Sequence, residues 1–334
     1  MNQINASDRL TSPEISNLWT HYNRETLAVC VTKYMLKIVN DPEIHKILQT
    51  ALEMSENHIN ILRDLFNKES FPIPKAFTDE DLNLNAPPLF TENFCLSYMH
   101  TMTMHGAQSY NIAFNVSIRQ DIRNFYYQCN IDTMNLYNQS LDVLMAKNLL
   151  NRPPEYKMPE KVYFLSDLSY LTDVFGKRRP MNTIESGNIF FNLEKSILSK
   201  ALFVAFRQVS KDKDVIKFLD KSIEKKNKHI GLFSNLLLKE DLHTVRTLDT
   251  EITTSVISPF SDKLIMFHAG FLIAAAISYY GTAAVASMRA DIAAYCERAV
   301  MEDLLVYSAF GKLVIQKGWM EQPPFACDRK ILPI

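Results

Sequence analysis

The chain has 334 residues, 47% of them hydrophobic and 22% charged, with a formal net charge of −1. That length allows two ordinary domains to bury cores without metal or disulfide support, and the near-neutral charge supplies no overall field to draw nucleic acid or an anionic membrane. Five cysteines, Cys30, Cys95, Cys129, Cys296 and Cys327, are an odd number and widely spaced without a CxxC pair, which argues against a disulfide framework and for reduced, buried thiols.

The opening MNQINASDRLTSPE lacks a basic segment followed by an apolar one, so a cytoplasmic protein is expected. Only eight glycines occur, and apolar residues recur at helical spacing, which predicts an all-α protein. The first helix runs from about Pro13 to Val39, with Ser12 before it and Asn40-Asp41-Pro42 as its stop. A second spans about Pro42 to Lys68 and is followed by a long connection, FPIPKAFTDEDLNLNAPPLF. The third is Phe94 to Ile118, 25 residues without a formal charge, and the fourth runs from about Arg119 to Leu150 before Pro153-Pro154. Whether the third and fourth are continuous or joined by a tight turn is left open by the pattern. Glu155 to Thr183 then forms a linker whose aromatics, Tyr163, Phe164, Tyr170 and Phe175, suggest packing on the domains, with Lys177-Arg178-Arg179 as solvated charge.

The pattern then starts again. Glu14, Asn17, Asp41, His58, Leu65 and Pro88 return 171 residues later as Glu185, Asn188, Asp212, His229, Leu236 and Pro259. Further on, Arg119, Asp121, Ile122 and Tyr137 return at an offset of 170 as Arg289, Asp291, Ile292 and Tyr307. A collinear match of that length means a duplicated domain, giving copy 1 at 10–154, a linker at 155–183 and copy 2 at 184–330. The twin of the uncharged third helix is Leu264 to Met288, long and apolar enough to span a bilayer. Its partner in copy 1, however, holds Ser97, His100, Thr101, His105, Gln108 and Asn111, too polar for lipid, so both are expected to be inner helices rather than membrane spans. Gly270, Ala274, Gly281 and Ala284 would let another helix approach the second of them closely, within its own bundle, from the other copy or from a second molecule. Four helices with one long central connection predict the up-down-down-up arrangement of a ferritin-like bundle, here two in tandem.

The strings SPEISNLW, FPIPKAFTDEDLNLNAPPLF, FGKRRPMN, SPFSDKLIMFH, GTAAVASMRADIAAY and KGWMEQPP resemble a duplicated ferritin-like family of unknown function from Bacillus-type spore formers, sometimes described as spore-coat-like. The resemblance runs from about Leu10 to the C-terminus and implies the fold and an association with spores. It carries no catalytic residues to transfer.

A ferritin-like bundle raises the question of a di-iron or di-manganese centre, which needs one Glu from each of two helices and Glu-x-x-His from each of the others. Asn93 to Arg119 and Lys263 to Ala290 contain no Asp or Glu, so no complete set is expected in either copy. His58 shares a heptad seam with Ile44, Ala51 and Leu65, as His229 does with Val215, Ser222 and Leu236, so both should face the interior. The leading expectation is a core histidine bonded to Ser, Asn or Tyr of a neighbouring helix. A histidine-rich site for Fe, Mn or Zn is the alternative, with His58, His21, Glu25 and His100 or His105 as candidates in copy 1 and His229 in copy 2.

No phosphate loop, GxSxG elbow or HExxH occurs. The seven lysines between Lys211 and Lys228 are interleaved with Asp212, Asp214, Asp220 and Glu224, which suits a solvated helix face better than a nucleic-acid surface. No cofactor is expected. The sequence therefore points to a non-enzymatic structural or interaction protein that associates with itself or other proteins, with metal binding as the alternative. A third option, an apolar small molecule held within a bundle, would be raised by a large cavity near His58 or His229.

Overall fold

The duplication is visible first at the helix starts. Each N-terminus leaves backbone N–H groups without helical partners, and matched side chains take them in both copies. In the computed structural model, which describes residues 9–171 and 179–325, helix α1 (Ser12–Ile38) opens with Glu14 reaching back to the Thr11 N–H at 2.7 Å. Its counterpart α5 (Thr183–Val209) opens with Glu185 reaching the Asn182 N–H at 3.1 Å. Asp41 caps α2 (Pro42–Lys68) and Asp212 caps α6 (Lys213–Leu238). Thr91 caps α3 (Glu92–Asn115) and Ser261 caps α7 (Asp262–Ala286), while α4 (Gln120–Ala146) and α8 (Ala290–Gln316) complete the two halves. The described residues are thus all-helical, with eight α-helices in two halves and no strand beyond two isolated bridges. Residues 116–119 form the turn that separates α3 from α4.

Polar contacts between helix ends fix the direction of each helix. Glu14 at the start of α1 accepts from the Ile118 and Arg119 N–H groups at the start of α4, both at 2.8 Å, and Arg119 pairs with Glu69 at the end of α2 at 2.5 Å. At the opposite end, Glu92 of α3 accepts from the Asn40 N–H before α2 at 2.7 Å, and Lys147 beyond α4 pairs with Asp41 at 2.6 Å. Helices α2 and α3 therefore run parallel, giving up-down-down-up. Arg289–Glu240 and Lys317–Asp212 repeat the arrangement in copy 2, at 2.6 and 2.7 Å.

The two long connections meet each other. Leu82 bridges Phe260 and Phe90 bridges Ile252, both antiparallel, and the Asn83 and Thr91 N–H groups donate to the Pro259 and Glu251 carbonyls at 2.8 and 3.0 Å. Adding 170 to Leu82 and Phe90 gives Ile252 and Phe260, so each bridge is the image of the other. This corrects the alignment of Pro88 with Pro259. The 3₁₀ turn Asp79–Asp81 matches Asp249–Glu251, and the one-residue length change falls before it. The same symmetry holds between α3 and α7: the Tyr98 hydroxyl lies 3.1 Å from His268 Nε2, and Gln108 donates to Ser278 at 3.3 Å. Both pairs are 170 apart, so α3 and α7 run parallel on either side of a pseudo-two-fold axis.

One apolar core is continuous across the halves. It takes in α1 to α4 together with Phe203, Phe206, Leu264 and Phe267 from the near ends of α5 and α7, while Ile189, Phe190, Phe233 and Tyr280 centre a second core at the far end of copy 2. Helix α7 is long and apolar enough to cross a membrane by length and composition, yet two-thirds of its most apolar window is buried within the protein. Its small residues do not act alike. A Cβ on Gly270 would sit 2.7 Å from the Phe310 ring of α8, whereas one on Gly281 would meet nothing within 4 Å.

The linker departs from expectation. Tyr163 and Phe164 stand open to solvent, whereas Tyr170 is half-buried, with Arg179 stacked 3.9 Å over its ring. Phe175, Lys177 and Arg178 lie outside the described residues, as do Cys327 and the last residues of the 184–330 boundary. Cys30, Cys95, Cys129 and Cys296 are free and buried.

Candidate functional site

His58 does face the centre of copy 1, but its partner is a carboxylate. Its Nδ1 lies 3.2 Å from Glu25 of α1, both side chains nearly inaccessible to solvent, and its Nε2 lies 3.7 Å from Asp132 of α4. The Tyr110 hydroxyl of α3 donates to the same Glu25 oxygen. Burial opposes the charge on His58, but Glu25 and then Asp132 outweigh it and raise its pKa. Burial likewise opposes ionisation of Glu25, yet His58, Tyr110 and Ser55 hold its pKa low. The group behaves as a buried ion pair, with one member from α1 and one from α2.

Copy 2 keeps the position and changes the charges. Tyr280 aligns with Tyr110 and His229 with His58, but Ser196 stands where Glu25 does, Lys226 where Ser55 does and Asp303 where Thr133 does. Lys226 and Asp303, each about 1% exposed, pair at 2.6 Å, and the ammonium also reaches the Tyr280 hydroxyl at 3.4 Å. Ser196 lies 2.8 Å from that hydroxyl, and His229 Nε2 lies 3.2 Å from Glu302. Burial and then the Lys226 charge lower the His229 pKa, opposite to its twin. Lys226 is therefore no part of the solvated lysine face. It lies three residues before His229, on the same side of α6, and that i, i+3 spacing was the signal available in the sequence.

The other sequence candidates separate. His21 Nδ1 meets Tyr126 at 3.1 Å and His100 Nδ1 meets Ser140 at 3.0 Å, while the His105 ring stands edge-on to Tyr279 at 5.4 Å. Of the candidate set, Glu25 and His58 are the pair within hydrogen-bond distance among the described residues. Among the described residues no three His, Cys, Asp or Glu side chains converge as metal ligands.

Beside Glu25 and Ser55 lies a cavity of about 280 Å³, walled by α1, α2, α3 and α4 of copy 1 and closed by α7 of copy 2. Met99, Met102, Leu136, Phe271 and Leu272 supply its apolar surface. Burial holds His21, His105 and His268, which also line it, near a pKa of about 3, so all three are neutral. Six of the ten buried polar atoms without a hydrogen-bond partner among the described residues belong to its walls: His21 Nε2, Arg24 Nε, His105 Nε2, Thr133 Oγ1, His268 Nδ1 and Tyr279 OH. Arg24 is half-buried, its guanidinium 5.2 Å over the Phe271 ring, with no carboxylate within ion-pair distance among the described residues. The space is mostly apolar, with a few directed polar groups on its walls.

No functionally curated protein matches the chain. Among solved structures, one from Bacillus halodurans described as a "putative spore coat protein" is 16% identical, with a TM-score of 0.42, over 45% of this chain and 96% of that one. A family model described as "Protein of unknown function (DUF3231)" matches residues 1–162 and again residues 169–332, so the chain belongs to that family and carries its domain twice.

Proposed function

We propose that the protein is a non-catalytic binding protein that holds a small, largely apolar molecule between its two halves. The observation that carries this reading is the cavity beside Glu25: about 280 Å³ is far more than a few waters need, and six of its wall residues have buried polar atoms without partners. Interiors are otherwise close-packed, and buried polar atoms are otherwise bonded, so both departures at one place favour an occupant. In this reading each half is a ferritin-like bundle whose centre is filled by its own ion pair, Glu25–His58 or Lys226–Asp303, instead of a metal. Spore association rests on the sequence resemblance and would be examined by fractionating spores.

The binding reading is tested with the neutral fluorophore Nile red. Ala275 lines the cavity, and Ala275→Phe should fill it. Saturable binding of one equivalent, lost in Ala275→Phe while circular dichroism is unchanged, is the expected result. Absence of saturable binding, or equal binding by the variant, would overturn the reading.

A further inference from the structure

The cavity is not symmetric, and the asymmetry lies in charge. Copy 2 carries Lys195 where copy 1 carries Arg24, both at an offset of 171, and Lys195 has its own counter-ion: Glu194 pairs with it at 3.0 Å. The residue aligned with Glu194 is Asn23, which instead donates to the Trp19 carbonyl at 2.8 Å. Thus the cation is kept and its carboxylate is missing on the side where the cavity opens. Nearby anions do not substitute for it, since Glu25 is engaged by His58 and Tyr110. A second difference gives room. Thr32 lines the cavity, whereas the aligned Phe203 is fully buried in the core.

We propose that this cavity takes a carboxylate-headed amphiphile, its head on the Arg24 guanidinium and its chain against Met99, Met102 and Leu272. The inference rests on the binding reading above and adds the ligand's chemistry. Burying a guanidinium without a counter-charge is costly, and a carboxylate matches its planar fork with two parallel hydrogen bonds. Two further wall groups suit the same head: Tyr279 OH can donate, and a neutral imidazole can present an N–H from the free nitrogen of His21 or His105. A monoanion is favoured over a phosphate because Arg24 is the single Lys or Arg among the wall residues. The thioether and aromatic walls accept a flexible alkyl chain without demanding one shape.

Sodium decanoate and decan-1-ol differ in the head and share the chain, and both can be titrated into the full-length protein by displacement of Nile red. Wild type should bind decanoate at least tenfold more tightly than decanol. Arg24→Gln should bring decanoate to the level of decanol measured in the same variant, and Arg24→Lys should keep the preference. Equal affinities in wild type, or a preference that survives Arg24→Gln, would overturn the carboxylate assignment and leave the cavity reading standing. Failure of Nile red to bind in a manner sensitive to Ala275→Phe removes both. If Arg24→Gln does not fold, the wild-type ratio and Arg24→Lys still decide.

Discussion

The centres of the two copies hold the same histidine and the same tyrosine, yet their charges sit on different helices. In copy 1 the buried anion is Glu25 on α1 and the cation is His58 itself; in copy 2 the anion is Asp303 on α8 and the cation is Lys226, one turn from His229. Each centre pairs its charges, because an unpaired ion in such a place would cost several kcal/mol. The consequence falls on the histidine. After opposing the burial penalty, the carboxylates around His58 raise its pKa, whereas the ammonium beside His229 adds to the burial penalty and lowers it. A conserved position in a duplicated fold can therefore titrate in opposite directions once a neighbour on the same helix face changes from Ser55 to Lys226.

Acid gives the largest expected separation of the copies. His21 and His105 are held near a pKa of about 3 and His100 near 4, all in copy 1, with His268 of α7 also near 3. These folded-state values lie below the unfolded value, so the unfolded chain binds protons that the folded one refuses. Their stabilisation is present above about pH 6.5 and is lost as pH falls towards the folded-state values, about 3 for three of them and about 4 for His100, at up to roughly 1.4 kcal/mol per pH unit for each histidine. Urea unfolding at pH 7 and pH 5 should show a loss of more than about 4 kcal/mol. A loss below about 1 kcal/mol would show that these imidazoles protonate without unfolding.

Next in size is Lys226→Met, which strands Asp303 and should cost about 3–5 kcal/mol, while Lys226→Met with Asp303→Leu should recover most of that. The aligned Ser55→Ala in copy 1 should cost only about 1 kcal/mol. Similar losses at both positions in urea unfolding would contradict the charge relocation. His58 supplies a third test with the opposite sign. Its raised pKa means its contribution is complete below the unfolded value near 6.5 and is lost as pH rises through the folded value. His58→Gln should therefore flatten the alkaline side of the stability profile, and His229→Gln should not. The smallest effects lie along α7: Gly270→Ala should lower stability by about 1–3 kcal/mol through the Phe310 ring. Gly281→Ala, with open space around it, should raise stability by roughly 0.5–1 kcal/mol.

Much of the fold was legible because it depends on local signals repeated twice. The Pro42 start and the Asp41 cap place α2 without reference to anything distant, and the heptad through Ile44, Ala51 and His58 points that histidine inward. Pairing was less legible. His100 and His105 lie on one helix, but five residues turn the second well away from the first, so one meets Ser140 and the other faces Tyr279. Lys226 was hidden in a run of lysines whose other members are solvated, and only its spacing from His229 set it apart. Arg24 was invisible as a site residue because what distinguishes it is a missing neighbour, and that absence has meaning only once Lys195 and Glu194 are seen paired at the matching place.

The contact between Tyr98 and His268 sets a limit on how this protein could have been assembled. These residues occupy the same position in the two copies and meet near the axis that relates them. In a dimer of identical single-domain chains, that meeting would have to be tyrosine with tyrosine or histidine with histidine. Joining the copies in one polypeptide removes that restriction: a phenol can face an imidazole, and a cation on one side can lose the counter-ion kept on the other. Fusion thus lets a duplicated scaffold carry a one-sided cavity that identical subunits would be obliged to build twice.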